Sequence, residues 1–299
     1  MEIRLRVPGS TSNLGPGFDT LGLALTIYNQ LTIKTTSHAG ARISVTGEGA
    51  SVLPGDEQNL FYQAASAAAS RIGKVLPGLD VEMHNEVPLA RGLGSSSTAI
   101  VAGLVAANQL FERSLSEPEL LDLATEIEGH PDNVSACMNG GLTVCSVVGK
   151  GTEVIRALPP VELRAVVAIP QFELETKAAR AALPKQISHR EATTNVNQAC
   201  LLTAALITGD LTVLRRAMQD RLHEPYRAPF IPGFEAVLSA ARKTGALGTC
   251  LSGAGPSLLA FTITDAETIK EAMVDAWKRE GVEADGLVLE VDPDGVMIE

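Results

Sequence analysis

The spacing of hydrophobic positions predicts both strands and helices in the first half of the chain. Ile3 to Val7 and Leu79 to Met83 alternate between apolar and polar side chains, the period of two typical of half-buried strands. Leu60 to Ile72 is rich in alanine and has helical spacing. Ser96 to Leu110 contains small and apolar residues without proline, which predicts a buried helix. The pattern indicates an α+β fold class.

A capping signal predicts one further helix. Ser116 precedes Glu119 by three residues, the spacing of a capping box, in which the glutamate side chain reaches back to the N-cap residue. We expect this helix to run to about Ile127 and to end at Gly129-His130-Pro131.

Two consecutive prolines mark the strongest break in the pattern. Pro159 and Pro160 can continue neither a helix nor a central strand, so we place a domain boundary there, between residues 1–159 and 160–299. Beyond this boundary, hydrophobic spacing predicts strands at 164–169, 258–261 and 287–291, and helices at 194–207, 211–219, 234–243 and 266–279.

Composition and charge narrow the classes of partner. Of the 299 residues, 45% are hydrophobic and 20% charged, as in ordinary globular proteins. The net charge of −11 would repel a phosphate backbone, which argues against a nucleic-acid partner. A small anionic ligand is still compatible with this charge, because main-chain N–H groups and helix N-termini can hold phosphate locally.

The sequence gives no sign of export or of a membrane role. The opening residues alternate apolar and charged side chains, unlike a secretory signal, and no segment approaches the roughly 18 apolar residues of a membrane-spanning helix. We therefore expect a cytoplasmic protein without a membrane partner. Four cysteines lie far apart without a C-x-x-C pair, which favours reduced structural thiols: Cys137, Cys145, Cys200 and Cys250.

A glycine- and serine-rich segment carries the clearest chemistry. Gly92 and Gly94 allow a tight turn that exposes successive main-chain N–H groups, and the helix beginning near Ser96 directs its positive dipole end at the same point. This combination favours binding of a phosphate group. The segment lacks the lysine of a Walker loop, the third glycine of a Rossmann turn and the last glycine of G-x-S-x-G. A merely flexible turn is the alternative.

Three further clusters are informative only in combination. Asn13 to Asp19 and Ser252 to Ser257 are too rich in glycine for the interior of a strand or helix, and each alone suggests a tight turn. Glu128 to Asn133 is mostly polar and alone suggests a solvated loop.

Taken together, however, the segment from Asn13 to Asp19, the glycine- and serine-rich segment beginning at Pro88 and the turn from Ser252 to Ser257 resemble the GHMP kinase superfamily, whose members carry such segments in this order. Within it the chain is most similar to the homoserine kinase family, because Asn13 to Asp19, Glu128 to Asn133 and Asp220 to Arg227 follow that family's pattern. The resemblance implies a two-domain fold, with an S5-like N-terminal ATP-binding domain and a ferredoxin-like C-terminal domain. It also implies Mg²⁺-dependent transfer of the γ-phosphoryl group of ATP to the side-chain hydroxyl of L-homoserine, a step in threonine biosynthesis.

The resemblance also assigns candidate site residues. Mg²⁺ would be held by Ser96 and Glu128, with Glu126 as a competing ligand, since hydroxyl and carboxylate oxygens suit this cation. The nucleotide-binding segment comprises Pro88, Leu89, Ala90, Arg91, Gly92, Leu93, Gly94, Ser95, Ser96 and Ser97.

The acceptor amino acid needs partners for a carboxylate, an ammonium and a hydroxyl group. Arg180 and Arg227 offer planar forks for the carboxylate, and Asp19 suits the ammonium group. Asn13 would also bind the substrate, and the candidates near the reacting oxygen are Asn133, His130 and Thr176.

No dedicated catalytic base is evident, because asparagine cannot accept a proton as a carboxylate can. The transfer would then rest on alignment, with the proton passing to phosphate or water, and His130 is the alternative base. Other readings are a kinase for another small alcohol, or a GHMP-fold protein that binds ligand without turnover. The partners we expect are small molecules, and the acidic surface does not forbid a homodimer.

Overall fold

The chain folds around two β-sheets. The structure is a computed structural model that describes residues 1–299. The strands are β1 (Glu2–Ser12), β2 (Leu21–Thr36), β3 (Ala41–Gly47), β4 (Gly78–Asn85), β5 (Leu142–Val148), β6 (Gly151–Ala157), β7 (Arg164–Pro170), β8 (Gly248–Leu251), β9 (Leu258–Thr262), β10 (Ala284–Glu290) and β11 (Met297–Ile298). The helices are α1 (Leu60–Ile72), α2 (Ser95–Leu110), α3 (Glu117–Glu128), α4 (Pro131–Asn139), α5 (Thr176–Ala181), α6 (His189–Thr208), α7 (Leu214–Ala217), α8 (Glu224–Arg227), α9 (Phe234–Lys243) and α10 (Ala266–Arg279).

The first sheet is seven-stranded and has the long strand β2 at its centre. Strand β2 pairs with β1 on one side, and on the other it pairs with β5 near its start and with β4 further along. Helices α1 to α4 cover the sheet through one buried apolar cluster. The final strand β11 pairs with β1, so the end of the chain returns to the first sheet.

The second sheet has the strand order β10-β7-β9-β8 and is antiparallel throughout. Its elements follow one another as β-α-β-β-α-β, which confirms the ferredoxin-like arrangement that the resemblance implied. Helices α9 and α10 pack on one face around Trp277. On the other face, a second apolar cluster joins β7 and α6 to β2 and β5 of the first sheet. The two halves of the chain therefore share a core.

Most predicted elements are confirmed, three of them to the residue. Helices α1, α9 and α10 have the predicted bounds, because each has a clear apolar face and no internal glycine or proline. The capping box is present, with the Ser116 N–H donating to the Glu119 carboxylate at 2.9 Å. None of the helices combines the length and apolar character that crossing a bilayer requires.

One predicted helix is mostly absent, and two predicted elements have different bounds. The helix expected at 211–219 is a 3₁₀ turn at Leu211–Val213 followed by α7, because the chain turns at Met218, whose carbonyl packs tightly against Gly15. Helix α6 begins at His189, five residues before its first predicted position, because Ser188 and Glu191 form a capping box. The strand expected at 287–291 spans Ala284–Glu290, where pairing with β7 fixes it.

The segment from Glu128 to Asn133 is not the solvated loop that its composition alone suggests. Asp132 and Asn133 are buried in the first turn of α4. The chain passes from the first sheet to the second between Ala157 and Arg164. Because β11 belongs to the first sheet, the division into residues 1–159 and 160–299 stays a prediction.

Gly103→Ala tests the crossing of α1 and α2. A Cβ at Gly103 would lie 2.2 Å from the main-chain oxygen of Phe61, so α1 would have to move. We expect the free energy of unfolding, measured in urea, to fall by about 1–3 kcal/mol, as in other overpacked cores. Gly151→Ala is the control, because no atom lies within 3.7 Å of the added carbon. Equal stability of the two variants would contradict the close crossing.

Candidate active site

A cavity of about 440 Å³ brings together residues from both halves of the chain. The phosphate loop, which we define as residues 88–97, lies between β4 and α2 and lines one part of the cavity; residues of α5, α8 and the turn after β8 line another. The sequence-predicted site residues that line it are Asn13, Asp19, Leu89, Ala90, Arg91, Gly92, Leu93, Gly94, Ser95, Ser96, Glu128, His130, Asn133, Thr176, Arg180 and Arg227.

The main-chain N–H groups of the phosphate loop have no acceptors in the chain. Ala90, Gly92 and Gly94 have left-handed φ angles of 51°, 71° and 72°, which turn the backbone away from regular pairing. No N–H group from Leu89 to Ser97 donates a hydrogen bond within the chain; the first donor is Thr98, to the Gly94 oxygen at 2.9 Å. Such N–H groups at the start of a long helix form an anion-binding site.

The phosphate loop is held through its carbonyl groups instead. The Ser10 N–H donates to the Leu93 oxygen at 3.0 Å, and the Ser252 hydroxyl donates to the Gly92 oxygen at 2.7 Å. A Cβ at Gly92 would lie 2.1 Å from the main-chain oxygen of Ser252, so only glycine allows the two backbones to lie this close. Strand β1 and the cluster from Ser252 to Ser257 therefore support the loop from outside.

Two residues of the predicted nucleotide-binding segment lie outside this cavity. Pro88 lines a separate groove. Ser97 is buried, and its hydroxyl donates to Glu128 Oε1 at 2.8 Å. Pro88 and Ser97 therefore do not line this cavity, and their assignment to the nucleotide-binding segment stays a prediction.

Glu128, at the end of α3, faces the start of α2. The Ser96 hydroxyl donates to its Oε1 at 2.7 Å, which leaves the lone pairs of the serine oxygen free. Glu126, the competing candidate, lies on the surface, 71% exposed and paired with Arg71 at 3.2 Å. Carboxylate and hydroxyl oxygens are the ligands that Mg²⁺ prefers, so Ser96 and Glu128 fit this cation. Glu126 does not line the cavity.

Asp19 and Arg180 form a bidentate ion pair at another part of the cavity. Arg180 donates to the two carboxylate oxygens at 2.6 and 2.9 Å. This hydrogen bonding raises the pKa of Arg180 above its ordinary value, more than burial lowers it. Both side chains are 34% exposed, so a ligand can reach them.

Arg227 is almost fully buried and is held by three acceptors. It donates to Gly253 O and His223 Nδ1, both at 3.2 Å, and to Ala179 O at 3.3 Å. Its Nη2 has no partner in the chain. Burial lowers the pKa of Arg227 to about 10, so the guanidinium keeps its charge at neutral pH. His223 Nε2 donates to Gly15 O at 2.8 Å, and burial lowers the pKa of His223, so this ring is neutral.

Sequence reasoning missed the role of Phe18. Its ring centroid lies 5.4 Å from the guanidinium carbons of both Arg180 and Arg227, and 5.3 Å from the ring of His223. These cation–π distances allow one ring to orient both arginines. Phe18 and His223 stand inside motifs that the sequence analysis identified, but their roles depend on contacts between distant segments.

His130 is paired with a second missed residue, Asp132. The distance from His130 Nδ1 to Asp132 Oδ1 is 2.6 Å. Burial lowers the pKa of His130, but the hydrogen bond and charge of Asp132, with the charge of Glu128, outweigh it and raise the value overall. Asp132 resists the effect of its own burial in the same way, and its pKa is lowered. Each group of the pair therefore favours the charged form of the other.

The amide of Asn133 is engaged on both sides. Its Nδ2 donates to Ser10 Oγ at 3.0 Å, and its Oδ1 accepts from Ser12 Oγ at 2.8 Å. Asn13 donates to Gly253 O at 2.9 Å and accepts from the Asp19 N–H at 3.0 Å. These asparagines connect the strand β1 and the loop after it to the rest of the cavity wall.

Comparison with known proteins identifies the class. Residues 59–141 match the family described as "GHMP kinases N terminal domain", and residues 202–279 match "GHMP kinases C terminal". The homoserine kinase of Moorella thermoacetica is 44% identical over 93% of each chain, and that of Deinococcus radiodurans 41% over 99% of this chain and 96% of the relative.

Solved structures agree with this assignment. The crystal structure of homoserine kinase from Cytophaga hutchinsonii covers 100% of this chain and 97% of its own, with 32% identity and a TM-score of 0.90. Galactokinase from Lactococcus lactis shares the fold, with 15% identity and a TM-score of 0.73 over 99% of this chain and 95% of its own. The chain belongs to the GHMP kinases and, within them, to the homoserine kinase family.

Asp132→Asn tests the ion pair with His130. Removal of the carboxylate lets burial act with less opposition, so we expect the pKa of His130, followed by NMR of its Cε1–H resonance, to fall. The raised pKa of His130 stabilises the fold at low pH and the lowered pKa of Asp132 stabilises it at higher pH. The stability lost in the variant should therefore be greatest between about pH 4 and 6.5.

Asp80→Asn is the control for this experiment. Asp80 contacts His38 at 2.9 Å in an equivalent but more exposed pair. This change should leave the His130 resonance unaltered. An unchanged pKa of His130 in Asp132→Asn would contradict the ion pair between His130 and Asp132.

Proposed function

We propose that this chain phosphorylates the side-chain hydroxyl of L-homoserine with ATP, giving O-phospho-L-homoserine and ADP, the step of threonine biosynthesis that the family resemblance implies. The single observation that carries the proposal is the row of unpaired N–H groups from Leu89 to Ser96 in the same cavity as Asp19 and Arg180. A phosphate-binding region and a zwitterion-binding region are the parts that a kinase for an amino-acid alcohol needs.

The phosphate loop would hold the triphosphate by hydrogen bonds and by the dipole of α2. Main-chain donors are fixed in place before the ligand arrives, so they stabilise negative charge without reorganisation. The overall charge of −11 does not oppose this, because the effect of a helix N-terminus is local. Phosphoryl transfer asks the protein mainly for such positioning and charge stabilisation.

Ser96 and Glu128 would hold Mg²⁺. When bound, this cation neutralises charge on the phosphate oxygens of ATP and of the transition state. The hydrogen bond from Ser96 to Glu128 already fixes both oxygens at the start of α2. Ser97 donates to the same carboxylate oxygen and therefore positions Glu128 without lining the cavity.

The ion pair of Asp19 and Arg180 would open to accept the substrate. The carboxylate of homoserine can replace Asp19 at the fork of Arg180, and its ammonium group can replace Arg180 beside Asp19. A zwitterion thus compensates both charges, whereas a neutral sugar or a simple acid leaves at least one unpaired. Arg227 can donate from Nη2, and Thr176 lies at the wall near Arg180.

Alignment of the hydroxyl with the γ-phosphate carries the transfer in this proposal. The amide of Asn133 is engaged by Ser10 and Ser12, which suits positioning, and it has no basic atom. The proton of the hydroxyl then passes to phosphate or water. Neutral His130 is the alternative acceptor, and Asp132 would orient its ring in that case.

We also propose that residues 1–159 and 160–299 are the two domains of this kinase. The two matched family regions lie on either side of Pro159 and Pro160. In this division the N-terminal domain supplies the phosphate loop and Glu128, and the C-terminal domain supplies Arg180 and Arg227.

An ADP-release assay with MgATP tests the proposal across several alcohols. We expect L-homoserine to be phosphorylated far better than mevalonate, galactose or shikimate, because only the amino acid satisfies both Asp19 and Arg180. Equal or greater turnover of another alcohol would contradict the substrate assignment. Tight nucleotide binding without release of ADP would favour a protein that binds ligand without turnover.

Arg180→Met tests the acceptor region. Charge-assisted hydrogen bonds contribute about 1.5–3 kcal/mol, so we expect the homoserine KM to rise about tenfold or more. The ATP KM should change less than about twofold, because the phosphate loop is untouched. Arg180→Lys should have an intermediate effect, since lysine lacks the planar fork. A homoserine KM equal to that of the unmodified chain would remove Arg180 from the substrate site.

A further inference from the structure

Arg91 is the charged side chain of the phosphate loop, and its guanidinium is engaged by main-chain oxygens. We infer that Arg91 is a positioning residue, which fixes the phosphate loop to the segment that carries Arg180, and that its side chain is not a ligand of ATP. This inference rests on the proposed function and replaces the nucleotide contact that the resemblance implied for Arg91.

The contacts of Arg91 account for all three nitrogens of its guanidinium. Nε donates to Pro170 O at 2.9 Å, and Nη2 donates to Gln171 O at 2.9 Å. Nη1 donates to Leu89 O at 3.2 Å and lies 3.4 Å from the carboxylate of Glu173. The side chain is only 13% exposed. The planar guanidinium thus donates to two consecutive carbonyl groups, that of Pro170 at the end of β7 and that of Gln171 after it.

These carbonyl groups begin the connection between β7 and α5, which we call the bridging segment (residues 170–175). Gln171 also holds this segment: its N–H donates to Glu283 O at 2.9 Å and its Nε2 to Asp285 Oδ2 at 2.6 Å, both in the second half of the chain. Arg91 supplies the hydrogen bonds from the first half. The bridging segment leads directly into α5, which carries Thr176 and Arg180.

A second contact ties the phosphate loop to the other arginine. The Ser252 hydroxyl donates to Gly92 O, and the adjacent Gly253 O accepts from Arg227 at 3.2 Å. Neighbouring residues of the loop, Arg91 and Gly92, therefore connect to the two arginines of the acceptor region by separate routes. This arrangement fixes the phosphoryl donor relative to the acceptor, and in such geometry a shift of about 1 Å can reduce the rate about a hundredfold.

The alternative is that Arg91 turns to bind a phosphate group of ATP. That movement would break its hydrogen bonds to Pro170, Gln171 and Leu89 and leave Glu173 without its partner. The main-chain N–H groups of the loop provide phosphate donors that need no such exchange. A substitution of Arg91 should leave nucleotide affinity nearly unchanged if Arg91 is a positioning residue and should weaken it if Arg91 is a phosphate ligand.

The test uses Arg91→Met and Arg91→Lys in the full chain. Calorimetry with a non-hydrolysable ATP analogue in the presence of Mg²⁺ measures nucleotide affinity without turnover. Steady-state assays at saturating ATP give kcat and the homoserine KM. Hydrogen exchange followed by mass spectrometry reports on residues 171–181. Arg242→Met is the matched control, because Arg242 pairs with Glu235 at 3.1 Å on α9, outside the cavity.

For Arg91→Met we expect the dissociation constant of the analogue to stay within about twofold, while kcat/KM for homoserine falls about tenfold to a hundredfold. Exchange in residues 171–181 should become faster. Arg91→Lys should recover part of the activity, because one ammonium group can reach one of the two consecutive carbonyls. Arg242→Met should match the unmodified chain in every measurement.

The inference is overturned if analogue binding weakens about tenfold or more while kcat/KM for homoserine at saturating ATP is retained, the pattern of a lost phosphate ligand. It is also overturned if exchange in residues 171–181 is unchanged in both variants. If Arg91→Met does not fold, Arg91→Lys is judged by the same criteria. An unmodified chain that does not phosphorylate homoserine refutes the proposed function, while analogue binding and exchange still decide the role of Arg91.

Discussion

The main-chain N–H groups between Leu89 and Ser97 find no acceptor within the chain, and the rest of the site depends on this constraint. Most residues of the loop are exposed or half-buried at the cavity wall, so their N–H groups can be reached by a ligand rich in acceptor oxygens. The left-handed residues Ala90, Gly92 and Gly94 prevent the backbone from pairing with itself. Contacts through carbonyl groups keep the loop in place while leaving its donors open.

The charges around this loop are placed by short-range contacts, and the net charge of the protein does not determine them. Hydroxyl and carboxylate oxygens meet at Ser96 and Glu128, where a cation fits, while Asp19 and Arg180 present one charge of each sign. Phe18 keeps Arg180 and Arg227 near one another despite their like charge. In the proposed reaction, this one cavity would bind a polyanion, a divalent cation and a zwitterion at separate places.

The sequence predicts the helices better than the site, for physical reasons. Helices at 60–72, 234–243 and 266–279 have apolar faces that identify them locally. Strand β2 was not predicted: Leu21 to Leu25 is buried without alternation, and the alternating part that ends at Lys34 continues from it without a break. The motifs indicated residues that the structure does bring to one cavity, although their chemical roles stay predictions. Contacts such as Phe18 with His223, or Arg91 with Pro170, depend on the packing of distant segments, so local sequence patterns do not predict them.

The most direct test of the central claim is a crystal structure of the chain with a non-hydrolysable ATP analogue, Mg²⁺ and L-homoserine. The account predicts phosphate oxygens about 3 Å from main-chain nitrogens between Leu89 and Ser97. It also predicts the homoserine carboxylate on Arg180 and the hydroxyl oxygen about 3–3.5 Å from the γ-phosphorus. A triphosphate bound away from these N–H groups, or homoserine bound outside the cavity, would contradict it.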